Sequence, residues 1–240
     1  MEHAIVLKPE ILGFYKNLPI TNTLLVGWIA MVILTLTSLV ATAKIKMVPT
    51  GLQNLFEAII EPFYNLAKDL AGEKKVKVFF PFVATFFLYI IVSNWLGLLP
   101  GFGTISYYKE PLLRAPNSDL NMTLGLALVS AVMTHIFAVR YLGIKNYLLR
   151  WVALNPIFLF VGFLEIISEI TKIVSLSFRL FGNIFAGEVV LSTIASIFAF
   201  VVPLPFYFLE IVVGFVQAAV FAMLTLVFMV LLSEKHEIEH

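Results

Sequence analysis

The chain has 240 residues, 60% of them hydrophobic and only 13% charged. Soluble globular domains carry about 25% charged residues, so a soluble fold of this composition could not cover its own surface. Sixteen Lys and Arg stand against 15 Asp and Glu, which gives no basis for nucleic-acid binding, and the lack of cysteine excludes disulfides, thiolate metal sites and cysteine nucleophiles together.

Several windows exceed the ~20 apolar residues that cross a bilayer core. The first, about 22–42, has no small-residue cleavage site after a short apolar region and reads as a retained helix. It ends in Lys44 and Lys46. Pro49-Thr50-Gly51 follows, and Thr50 with Gln53 has the spacing of a capping box. Over about 51–71, Leu52, Leu55, Phe56, Ile59, Ile60 and Phe63 recur every three or four residues, with Gln53, Asn54, Glu57, Glu61, Lys68 and Asp69 on the other face. This is an amphipathic helix lying on the membrane surface, bent by Pro62.

A second span covers about 78–99, with Pro81 tolerated in its first turn and Asn94 and Trp95 placed where an interfacial anchor belongs. A turn-rich loop precedes the third span, about 120–141. Here Thr123, Ala127, Ser130, Ala131, Thr134 and Ala138 form a small-residue face suited to close helix packing. Pro203 and Pro205 divide the remainder into two long helices, about 156–196 and 206–232. The first would be roughly 60 Å long at ~1.5 Å per residue, against a hydrocarbon core of ~30 Å. It must tilt steeply or break near Gly182 or Gly187, and steep tilt is the favoured reading. The expected fold is an all-α polytopic membrane protein, one integral domain over 1–240, with five transmembrane helices and one surface helix. With the N-terminus outside, the inner segments hold ten Lys and Arg and the outer ones four (Lys8, Lys16, Lys109 and Arg114); this bias predicts N-out, C-in.

Six charged residues remain inside the last two helices: Glu165, Glu169, Lys172, Arg179, Glu188 and Glu210. Each costs ~2.5–3.5 kcal/mol at a helix centre on insertion scales, and intramembrane ionisable groups usually line an ion path or pair with one another. At about 100° per residue, Glu165, Glu169, Lys172 and Arg179 share one helix face, while Glu188 lies about 180° round from Arg179. The acids therefore fall into two groups, Glu165 with Glu169 towards the inside and Glu188 with Glu210 towards the outside. Small residues accompany them: Ser168, Ser175, Gly182 and Ala186, then Gly214, Ala218 and Ala222. Asn183 and Gln217 are neutral groups that could hold the guanidinium without neutralising it.

Structural roles compete with these. Glu169 and Lys172 have the (i, i+3) spacing of a salt bridge, Glu188 and Glu210 could pair with Arg179 across helices, and His135 reads as an interfacial histidine. His236 and His240 belong to a polar tail and support no metal site.

Ser175-Leu176-Ser177-Phe178-Arg179-Leu180-Phe181-Gly182-Asn183-Ile184 resembles the signature segment of the F-type ATP synthase subunit a family. Pro49-Thr50-Gly51-Leu52-Gln53-Asn54 is similar to the segment opening that family's surface helix. Asn94-Trp95-Leu96-Gly97-Leu98-Leu99-Pro100 is similar to the end of its next span, and Arg114-Ala115-Pro116 with Asp119-Leu120-Asn121 to the start of the one after. Two positions depart from the pattern: Ile173 stands where many relatives have proline, and Glu210 where some carry histidine.

The resemblance implies a stator subunit that is not itself an enzyme and needs no cofactor or metal, sited in a bacterial plasma membrane. Its partners would be a rotating ring of c subunits, the b-subunit peripheral stalk and the rest of the synthase. Arg179 would be the essential arginine facing the ring carboxylate, Glu188 the outer half-channel acid and Glu165 the inner one, with Glu169 beside it. Asn183 and Gln217 would be polar partners of the arginine. A self-contained cation/proton antiporter is the alternative, but no internal repeat is visible to build its two halves. An intramembrane hydrolase lacks a nucleophile–base pair.

Overall fold

The computed structural model describes residues 8–99, 102, 105–107, 110–151, 156–197 and 201–234; Pro100, Gly101 and Gly103 of the turn-rich loop, Lys109, Lys235, His236 and His240 lie outside the described residues. Strands β1 (Ile11–Tyr15) and β2 (Leu18–Thr21) form an antiparallel hairpin ahead of the first span. Helix α1 (Asn22–Thr42) starts directly from it, with the Thr21 hydroxyl accepting from the Leu24 N–H as N-cap. A second short hairpin, β3 (Ser106–Tyr107) and β4 (Glu110–Pro111), and a 3-10 turn, Pro116–Ser118, precede α3 (Leu120–Leu142). The short helix α4 (Ile144–Trp151), the long α5 (Pro156–Ile197) and α6 (Pro203–Leu232) complete the chain. Among the described residues, five helices are long and apolar enough to cross a membrane.

The surface helix and the second span form one element, α2 (Leu52–Gly97), broken at Gly72, whose φ of 73° is open to glycine without a Cβ penalty. Lys68 pairs with Glu73 at 2.6 Å across this break. Pro62 lies within the first half without interrupting it. The expected capping box is absent. Gly51 caps the helix without a side-chain bond, and Gln53 instead bonds the backbone of Lys46 in both directions, at 3.0 and 2.9 Å. The side chain thereby ties down the link from α1, which a box with Thr50 would leave loose.

Helix α5 runs unbroken through Gly182 and Gly187 for 42 residues, about 63 Å, and such a rod fits a ~30 Å core only when steeply inclined. Helix α6 starts at Pro203, three residues before the expected boundary, because proline is tolerated in a first turn, where its missing N–H would be unsatisfied anyway.

The second half of α2 supplies the centre of the bundle, with Val76, Phe79, Val83 and Ile90 fully buried. Its Phe86 meets Phe221 of α6, ring centroids 5.7 Å apart, and Phe79 meets Phe137 of α3 at 5.1 Å. The small residues Gly214, Ala218 and Ala222 of α6 are all buried; at the Gly214 end they admit α2 so closely that a Cβ on Gly214 would lie 3.2 Å from the Asn94 Cβ. Asn94 then donates to the Gly214 carbonyl at 2.9 Å, and Trp95 to the Ile211 carbonyl at 3.1 Å. Both residues clamp helix to helix; Asn94 is buried in doing so, while Trp95 remains 41% exposed at the helix end. The small face of α3 is buried too, through Thr123, Ala127, Ser130, Thr134 and Ala138. Ser130 bonds Thr225 of α6 at 2.8 Å and Thr123 bonds Ser177 of α5 at 3.1 Å.

Asn94 also accepts from Asn117 at 2.7 Å, so one buried amide joins α2, α6 and the 3-10 turn. Asn94→Ala leaves the Gly214 carbonyl and the Asn117 amide without that partner, at a cost of ~1–3 kcal/mol for each buried group left unsatisfied. A lower melting temperature of the purified chain in detergent is expected; an unchanged one removes this bridge from the account.

Candidate ion-translocation site

Helix α5 places its charges by helical spacing alone. Its buried stripe, Leu176, Leu180 and Ile184, packs into the bundle, and the acids sit at the two ends of that stripe. Glu169 and Glu188 are 19 residues apart, about 28 Å along the axis. Arg179 lies between them.

At the end that carries the 111–119 segment, the Glu188 carboxylate faces Arg114, with Nε and Oε2 3.6 Å apart. Arg114 is itself almost buried; it donates to the Ser118 hydroxyl at 3.1 Å and to the Lys8 carbonyl at 3.3 Å. Glu210 reaches back from α6 and seats its carboxylate over Gly187, in the space a Cβ there would occupy. The two acids share a cavity of about 40 Å³ with Asn94, Gly97, Ala115 and Leu191. That exceeds the ~10–15 Å³ a water needs, and the polar lining offers it partners. Glu188 thus pairs with a cation from the 111–119 segment, and no ion pair joins either acid to Arg179 among the described residues.

At the opposite end Glu169 is buried and bonded to Lys172 at 2.6 Å, which bears out the salt-bridge spacing. The Lys172 ammonium lies 5.0 Å from the centre of the Phe228 ring of α6. The second oxygen of Glu169 faces the His135 Nε2 at 4.0 Å, and the His135 Nδ1 lies 3.0 Å from the Tyr147 hydroxyl of α4. His135, half-buried in the second half of α3, thus joins a polar cluster drawn from α3, α4 and α5, a set of contacts that its reading as an interfacial residue did not include. Glu165, four residues before Glu169, is half-buried.

Arg179 faces outward. It bonds Ser175 at 3.4 Å, and none of the ion pairs among the described residues includes it. Asn183 donates its amide to the Arg179 backbone carbonyl at 2.9 Å, so it braces the helix and does not hold the guanidinium as expected. Gln217 is half-buried on α6, and no hydrogen bond of its side chain is found among the described residues. The shared charged face resolves into two edges: Glu169 turns to α3, Arg179 away from the bundle. Ser168, Ser175, Gly182 and Ala186 are exposed beside Arg179 together with Phe178 and Val174.

Five apolar helices with ionisable groups at both ends of one of them, and an exposed arginine between, define a polytopic membrane protein of ion transport. Residues 24–230 match the family model described as ATP synthase A chain. The chain is 37% identical over 206 residues to ATP synthase subunit a of Geobacter sp. (strain M21), covering 84% of this chain and 82% of that protein. The chain belongs to the ATP synthase A chain family, proton-translocating components of the membrane sector of F-type ATP synthases.

Sequence reading missed Arg114, Asn117 and the His135–Tyr147 pair. Arg114 lies 74 residues before Glu188, and no local spacing connects them. The one available signal was that a cation in the 111–119 segment could offset an acid buried at the same end of the bundle.

Gly187→Ala tests the seating of Glu210. A methyl there displaces the end of a flexible side chain and leaves the backbone in place, so the complex assembles while proton pumping falls several-fold. Shortening the acid with Glu210→Asp in the same chain restores part of the pumping. Full activity of Gly187→Ala in vesicles is the contrary result.

Proposed function

We propose that the chain is the stator of a rotary proton path, with two offset half-channels that load and unload carboxylates on a ring of partner helices. The observation that carries this reading is Arg179: an exposed guanidinium on an apolar, small-residue helix face, with an acid cluster about 15 Å along the helix to either side. A charge so placed requires an anion from another chain, and small residues let that chain's helix approach.

In this reading a proton enters from outside through the cavity shared by Glu210 and Glu188. It then neutralises a ring carboxylate, which can turn into lipid only when uncharged. At the other end the site meets Glu169 and Glu165 and releases its proton inside. Arg179 keeps the arriving carboxylate ionised, because arginine cannot be deprotonated in a protein, and its fixed charge opposes direct proton passage between the half-channels. Arg114 holds Glu188 ready as an acceptor, while Asn183 and Gln217 line the approach to the arginine. Each charge crossing yields ~2.3 kcal/mol per 100 mV. That energy drives synthesis elsewhere in the complex, so this chain performs no catalysis of its own. The same reading takes the b-subunit stalk as the anchor that keeps the chain from turning, and puts the chain as one integral unit in a bacterial plasma membrane with its N-terminus outside.

Arg179→Ala in membrane vesicles holding the assembled complex is the direct test. Loss of ATP-driven pumping together with a passive proton leak is expected. Unchanged coupled pumping with normal assembly sinks the reading, and a self-contained antiporter then accounts better for the acids.

A further inference from the structure

His135 stands within reach of two titratable groups that the account above leaves unconnected. Its Nε2 faces the Glu169 Oε2 at 4.0 Å and its Nδ1 lies 3.0 Å from the Tyr147 hydroxyl. The charged groups facing it are Glu169 and Lys172 of α5, and Tyr147 is the titratable group from α4. The ring is also set against Trp151, centroids 6.0 Å apart, with Tyr147 and Trp151 themselves 5.9 Å apart. The imidazole thus packs against two aromatic side chains of one short helix, which also touch each other, while one nitrogen is aimed at a buried acid. Its side chain is 31% exposed, whereas that of Glu169 is 11% exposed. The histidine is the more exposed of the two.

We propose that His135 carries protons between Glu169 and the inner aqueous phase, with Tyr147 as the residue that orients its ring; this rests on the half-channel reading of Glu169. Imidazole is the side chain whose ordinary titration range lies nearest neutrality, which suits a group that must both take and give a proton. In the release step the Glu169 carboxyl O–H bond breaks and an N–H bond forms at Nε2, leaving a carboxylate beside an imidazolium. The imidazolium then loses its Nε2 proton to inner water, so that Nδ1–H stays on Tyr147 and the same neutral tautomer is restored. One proton enters the pair and one leaves. A separation of 4.0 Å is longer than a direct hydrogen bond, and a single bridging water closes it. The Tyr147 hydroxyl, accepting from Nδ1–H, keeps the Nε2 lone pair towards Glu169. Lys172, bonded to the other carboxylate oxygen at 2.6 Å, holds the acid in place.

The test uses inside-out membrane vesicles with the whole complex, so that the inner mouth faces the medium and its pH is under control. ATP-driven pumping is measured between pH 5.5 and 8.5, each rate divided by ATP hydrolysis at the same pH. His135→Gln keeps hydrogen bonding but cannot titrate. A pumping ratio at least fivefold lower is expected, with the pH-dependent step of the wild type absent. Tyr147→Phe leaves the imidazole in place but unoriented, and is expected to lower the ratio two- to threefold while the step remains. A wild-type ratio and pH profile for His135→Gln overturns the proposal. So does a uniform loss for both variants with the step retained, which marks a packing role. Arg179→Ala run alongside separates the levels: if it uncouples while His135→Gln behaves as wild type, only the relay fails. If both pump normally, the half-channel reading itself falls.

Discussion

Arg179 carries a charge that no proton loss can remove, on a helix face that otherwise presents apolar and small side chains. Helix α5 accommodates its other ionisable groups by pairing. Glu169 meets Lys172, and Glu188 meets Arg114. Among the described residues the guanidinium bonds only a serine hydroxyl of its own helix, one turn back. Much of the architecture follows from keeping it that way. The acids are moved about 28 Å apart along one unbroken helix, and each is turned into the bundle, where the arginine does not reach.

That separation depends on packing far from the arginine. The buried stripe Leu176, Leu180 and Ile184 sets the rotation of α5 against the bundle, and the Thr123–Ser177 bond sits on the same side. With that side turned inward, Glu188 must meet the segment before α3, and Arg179 must face out. The clamp of Asn94 and Trp95 onto α6 brings Glu210 to the same end as Glu188, and Gly187 leaves room for its carboxylate. The two acids and the small cavity they share are therefore consequences of helix packing together with the segment before α3, which supplies Arg114 and Ala115. The start of α1 adds to this end, since the Asn22 amide donates to the Pro111 carbonyl at 3.0 Å and Thr23 donates to Asp119 at 2.9 Å.

The two ends differ in character. One holds a cavity and a pair of acids opposed by a single arginine; the other holds an acid, a lysine, a histidine and a tyrosine from three helices. The proposed half-channels would load and release protons by different means, an acid pair at the outer mouth and an imidazole at the inner one.

Spans, surface helix and charged positions were legible in the residues because each follows from local rules. About twenty apolar residues cross a bilayer, a 3.6-residue period makes an amphipathic face, and a charge in an apolar helix stands out by its cost. The roughly half-turn offset of Glu188 from Arg179 was legible for the same reason, and so was the spacing of Glu169 with Lys172. What tertiary structure alone decided was which groups meet. Arg114 finds Glu188, His135 finds Glu169, Glu210 finds Gly187, and Asn183 turns to a backbone carbonyl and away from the guanidinium. Helical periodicity fixes an angle about one axis, whereas a contact between helices also needs their relative rotation, depth and crossing. Those are set by the sum of many small packing interactions spread along the chain, and no local spacing records them.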